Sequence, residues 1–71
     1  MTTFIINGRE FAIESGYIGH RDAFVNNGRD TVMARLDSGA WAKIGSIDTG
    51  DTQHAEQIAA FWAEHPEMLR G

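Results

Sequence analysis

The chain has 71 residues, a formal net charge of −4 and no cysteine, which sizes it for one small domain, 1–71, held by a hydrophobic core without disulfide or thiolate-metal staples. A deep active-site cavity is hard to accommodate in so few residues. No stretch approaches the roughly 18 apolar residues of a membrane span, and the start "MTTFIINGRE" has neither a basic run nor a long apolar run, so a soluble, cytoplasmic protein is expected.

Taken in chain order, the first signal is "FIINGREFAI". Two apolar runs flank Asn7-Gly8, the dipeptide that best tolerates the positive φ angles of a two-residue hairpin turn. Pairing about that turn sets Phe4 opposite Phe11 and Ile6 opposite Arg9. The stretch "YIGHRDAFVNNGRDT" reads as a strand centred on Phe24 and Val25 that turns at Asn27-Gly28, or as a short helix stopped by the same glycine; the strand is favoured. Next comes "VMARLDSGAWAKI". A three-residue loop at Asp37-Ser38-Gly39 would place Val32, Ala34 and Leu36 across from Ile44, Ala42 and Ala40. The opposite face would then carry Met33, Arg35, Trp41 and Lys43, with the Arg35 guanidinium over the Trp41 indole.

From Thr52 the hydrophobic period changes to three- and four-residue steps. Ala55, Ile58, Ala59, Trp62 and His65 form one stripe with Phe61 on its flank, Asp51 or Thr52 at the start and Pro66 at the end. This predicts an amphipathic helix from about Thr52 to His65 that buries Ile58 and Trp62 against the sheet. The predicted fold is therefore α+β, an antiparallel meander of about four or five short strands packed by one C-terminal helix.

Charge divides unevenly along this order. Residues 1–43 carry five acids and five bases, whereas residues 44–71 set Asp48, Asp51, Glu56, Glu64 and Glu67 against Arg70 alone. Asp48 and Asp51 lie near the helix start, where the backbone dipole favours negative charge. Glu56 and Glu64 have no lysine or arginine three or four residues away, so intrahelical pairing does not neutralise them. The five acids are either a solvated outer face or a partner-binding surface for a basic groove. The face of Arg35, Trp41 and Lys43 is the alternative partner-binding surface.

Catalysis and metal binding find little support in the pattern. "HRD" at His20-Arg21-Asp22 lacks the glycine-rich loop, lysine strand and "DFG" that give those letters meaning in a kinase. His54 and His65 are eleven residues apart, too far along a helix to share an ion. "DTGD" at 48–51 has no calcium-loop continuation. No catalytic residue, metal ligand or cofactor is assigned, and no enzyme is expected. The six basic residues are dispersed among acids, which argues against direct nucleic-acid binding.

In size, acidity, lack of cysteine and lack of motif, the chain resembles the small phage-encoded inhibitors of bacterial defence, notably the anti-CRISPR proteins. That resemblance covers the whole chain in character and carries no residue-by-residue motif. It implies a non-catalytic inhibitor that binds a protein with a basic nucleic-acid-binding groove, such as a CRISPR-Cas effector subunit, in the host cytoplasm. The alternative is a small structural or assembly subunit that oligomerises through an apolar sheet face made of Met33, Trp41, Phe4 and Phe11. Either a monomer or a homodimer fits the sequence.

Overall fold

A computed structural model describes residues 2–15 and 29–71. Four strands, β1 (Thr2–Ile6), β2 (Arg9–Ser15), β3 (Arg29–Arg35) and β4 (Trp41–Asp48), form an antiparallel sheet in the order β1-β2-β3-β4. Helix α1 (Thr52–Ala63) and a short 3-10 helix (Pro66–Leu69) follow. The architecture is the expected α+β meander with one helix near the C-terminus. The strand or helix expected at Phe24 and Val25 lies outside the described residues.

The β1–β2 turn forms where its dipeptide places it. Asn7 has φ 51° and Gly8 has φ 79°, the left-handed pair that matches the twist of the flanking strands. Phe4 therefore pairs with Phe11 and Ile6 with Arg9. The β3–β4 loop also closes over three residues. The Leu36 N–H donates to the Ala40 carbonyl at 2.8 Å, the Gly39 N–H donates to the Leu36 carbonyl at 2.9 Å, and Gly39 takes φ 94°.

Beyond that loop the expected ladder changes. Ala34 faces Ala42 as predicted, but Val32 faces Gly45 rather than Ile44, because a bulge inserts one residue into β4. A bulge breaks strict alternation. Ile44 and Ile47 consequently both join the core, although they are three residues apart. Gly45 leaves room on the sheet for the helix. A Cβ at that position would lie 3.0 Å from Ile58 Cδ1 and 3.2 Å from Ile58 Cγ2.

The core lies between one sheet face and α1. Phe11, Ala34, Ala59 and Leu69 form one buried cluster, and Val32, Ile47 and Ala55 form a second. The helix touches the sheet most closely through alanines. Ala55 and Ala59 are fully buried, while Ile58 and Trp62 pack at the margins and stay partly exposed. Small side chains on the central line let the helix axis approach the sheet, and larger ones then fill the flanks.

The helix ends at Ala63, two residues short of the expected His65. His65 adopts φ −127° and ψ 62°, in keeping with the restriction that Pro66 imposes on its predecessor. The chain then turns back over the core. Leu69 is 1% exposed, and its carbonyl accepts from the Asp37 N–H at 2.9 Å. Among the described residues, no helix is long and apolar enough to cross a membrane.

Candidate functional site

Asp48 and Asp51 acquire structural duties at the junction of β4 and α1. Ile47 is buried in the core, so strand alternation directs Asp48 to the sheet face away from the helix. There it meets Arg29 in a 2.7 Å ion pair. Asp51 is the N-cap of α1, and its carboxylate accepts from the His54 N–H at 3.2 Å. This bond satisfies one of the helix's unpaired N-terminal donors.

The remaining three acids stand elsewhere. Glu56 and Glu64 are exposed, Glu56 on the flank of α1 about 100° round from Ala55 and Glu64, the C-cap residue, on the outer side, about 12 Å apart along the axis at 3.6 residues per turn and 1.5 Å per residue. Neither has an ion pair or a side-chain hydrogen bond among the described residues. Glu67, on the 3-10 helix, lies 3.4 Å from Nδ1 of His65. The structure therefore leaves Glu56 exposed on α1, Glu64 exposed at its C-cap and Glu67 exposed on the 3-10 helix, keeps Asp51 at the start of α1 and sets Asp48 apart.

The acids of the sheet contrast with those of the helix. Glu10 pairs with Arg35 at 3.4 Å, and Asp37 pairs with Arg9 at 2.8 Å. The Arg9 guanidinium also donates to the Arg35 carbonyl at 3.0 Å, tying the β1–β2 turn to the β3–β4 loop. Asp30 accepts from the Gly50 N–H at 3.4 Å. Of the sheet's carboxylates, only Glu14 lacks such a bond among the described residues.

The alternative face is built largely as expected. Arg35 lies over Trp41 at 4.5 Å from the ring centre, and it also donates to the Gly39 carbonyl at 2.8 Å. Its guanidinium is thus engaged on three sides. Lys43 is exposed, whereas Met33 and Trp41 are partly covered. Phe4 and Phe11 do not belong to this face. Their rings stack at 5.8 Å, with Phe11 fully buried under the helix.

Two exposed apolar residues accompany the helical acids. Phe61 is 54% exposed and Met68 is 51% exposed. The Phe61 ring lies 4.7 Å from that of His65. The period of the helix already placed Phe61 on the flank, but Met68 follows from the turn after Pro66 and had no periodic signal. An open cleft of about 530 Å³ at the hairpin end is lined by Arg9, Glu10, Arg35 and Asp37, whose charges are paired with one another. Among the described residues, no three metal-ligating side chains gather in a group that could hold an ion.

No protein-family model, curated protein or solved structure matches this chain.

Proposed function

We propose that this protein acts by contact, as an inhibitor of the anti-CRISPR kind, docking the outer face of α1 on a basic nucleic-acid-binding groove of a bacterial defence effector. The observation that carries the reading is the unequal use of acids. Glu10, Asp37 and Asp48 are paired with arginines of their own sheet, whereas Glu56 and Glu64 are exposed on the helix and its C-cap with no cation paired to them among the described residues. Carboxylates presented in this way meet lysines and arginines that otherwise neutralise phosphates. Phe61, three residues before Glu64 and so on the adjoining helix surface, supplies an exposed aromatic anchor of the type that contributes most to affinity in protein interfaces.

The test is a mobility-shift assay in which a purified CRISPR-Cas effector captures labelled duplex DNA in the presence of this protein. Inhibition is expected, and it should weaken as salt rises, because exposed charge pairs are screened over about 10 Å at 0.1 M ionic strength. Glu56→Lys and Glu64→Lys should each weaken inhibition by about tenfold or more. Glu14→Lys, at an exposed acid of the sheet that has no ion pair among the described residues, is the control and should inhibit like the unmodified protein. Full inhibition by both helix variants would overturn the assignment of the docking face, and DNA capture unaffected by the unmodified protein across effectors of every type would overturn the function.

A further inference from the structure

The β1 edge is built differently from the β4 edge. A two-residue turn makes Ile6 and Arg9 the pair that exchanges both backbone hydrogen bonds, and Phe4↔Phe11 and Thr2↔Ile13 follow at alternate positions. The N–H and C=O groups of Thr3 and Ile5 therefore point away from β2. Neither residue has another backbone partner among the described residues. Thr2 and Thr3 are exposed, and Ile5 is 71% exposed, the most of any large apolar residue described.

Sheet edges in soluble proteins are usually blunted by charge, proline or a bulge. β4 has such protection, with a bulge at Ile44 and an exposed Lys43. β1, "TTFII", has none: it carries no charge and no proline, and its register runs without interruption.

We infer that β1 is a self-association edge whose occupant is β1 of a second copy of this chain, paired antiparallel about Phe4. In that register Thr3 lies opposite Ile5 of the second copy and Ile5 opposite Thr3. The four outward groups of each edge then satisfy one another in four hydrogen bonds. The occupant is a second copy because the edge is self-complementary: its side chains are uncharged, so the acid surplus of the chain stays out of the contact.

The two-fold axis of such a pair is perpendicular to the sheet, since residues directly opposite in an antiparallel ladder share a face. Both helices therefore remain on one side of a sheet that joins the four described strands of each copy, and the exposed Glu56 and Glu64 are doubled on one molecule. The inference does not depend on the proposed effector. A short edge also predicts an association that is reversible and concentration-dependent rather than permanent.

The experiment is sedimentation velocity of the full chain from about 1 µM to about 1 mM, the range over which weak protein contacts saturate. The mass is expected to rise with concentration toward twice the 7.9 kDa of the chain. Higher salt should preserve or strengthen the pair, because no charged side chain lies in it and the net charge of −4 on each copy is screened. Salt thus acts here in the direction opposite to its effect on effector docking. Ile5→Lys brings a lysine from each copy to the seam and should leave only monomer, with an unchanged far-UV spectrum because the side chain is exposed. Thr3→Pro removes one outward donor from each copy while sparing the bonds to β2, and should weaken association about tenfold or more. A monomer throughout the range, or a dimer that persists unchanged in both variants, would overturn the inference.

Discussion

At the scale of single residues, the positions that set the backbone are distinct from those that present charge. Gly8 holds φ 79° at the β1–β2 turn with open space around its Cα, so Gly8→Ala meets no neighbour and loses only the left-handed preference. A cost of about 1–2 kcal/mol is expected, read as a lower urea midpoint with an unchanged denaturant slope. Asp51 and Glu56 make a second comparison. Asp51→Ala removes the N-cap bond to His54 and should cost about 1 kcal/mol. Glu56→Ala removes no bond and should stay within about 0.5 kcal/mol. If thermal melts ranked the two the other way, the division between structural and free carboxylates would be wrong.

Among the elements, β4 and α1 are fitted to each other by the bulge. Strict alternation from Trp41 onward would put Ile47 on the face away from the helix; the extra residue at Ile44 restores it to the core. The bare backbone of Gly45 then receives Ile58. Gly45→Val would force a branched side chain into that contact and should destabilise by about 1–3 kcal/mol. Adding Ile58→Ala should recover part of this loss, because the two positions occupy the same space and their effects are not additive. Additive losses in a double-mutant cycle would show that the helix does not rest on Gly45. Phe61, on the outer flank of the same helix, is the contrasting case. Phe61→Ala should leave the fold in place, and under the proposed docking should weaken inhibition of the effector by about tenfold or more.

At the scale of the whole molecule, among the described residues, one sheet is covered on one face by one helix and a returning tail, so each fully buried side chain counts heavily. Leu69 shares a cluster with Phe11, Ala34 and Ala59. Leu69→Ala should cost about 2–5 kcal/mol, a large fraction of the 5–15 kcal/mol typical of folded domains. The expected result is loss of the cooperative unfolding transition, or its shift to much lower temperature, in calorimetry. An unchanged melt would mean that the 3-10 helix is an appendage rather than part of the core. At this scale the acid surplus also takes its meaning, since most of the sheet's carboxylates are engaged within the sheet, whereas Glu56 and Glu64 have no such partner among the described residues.

Local chemistry determined much of this protein from sequence alone. The Asn7-Gly8 turn, the Asp37-Ser38-Gly39 loop, the Arg35–Trp41 contact and the start of the helix at Thr52 all depend on neighbouring residues or on one short ladder, whose geometry a few side chains fix. The outward position of Glu56 and Glu64 was legible for the same reason, because helical period decides it. Tertiary structure decided what depends on distant partners. The bulge at Ile44 turns Gly45 toward Ile58 and Ile47 into the core, a fit between β4 and α1 that strand alternation does not announce, and the burial of Leu69 follows from a chain reversal that no periodic pattern announces. Asp48 left the acidic surface because Arg29, nineteen residues away in sequence, was brought beside it by strand pairing. The open edge of β1 is likewise a property of sheet order, since a strand's own sequence states its propensity to pair but not which of its sides will be left without a neighbour.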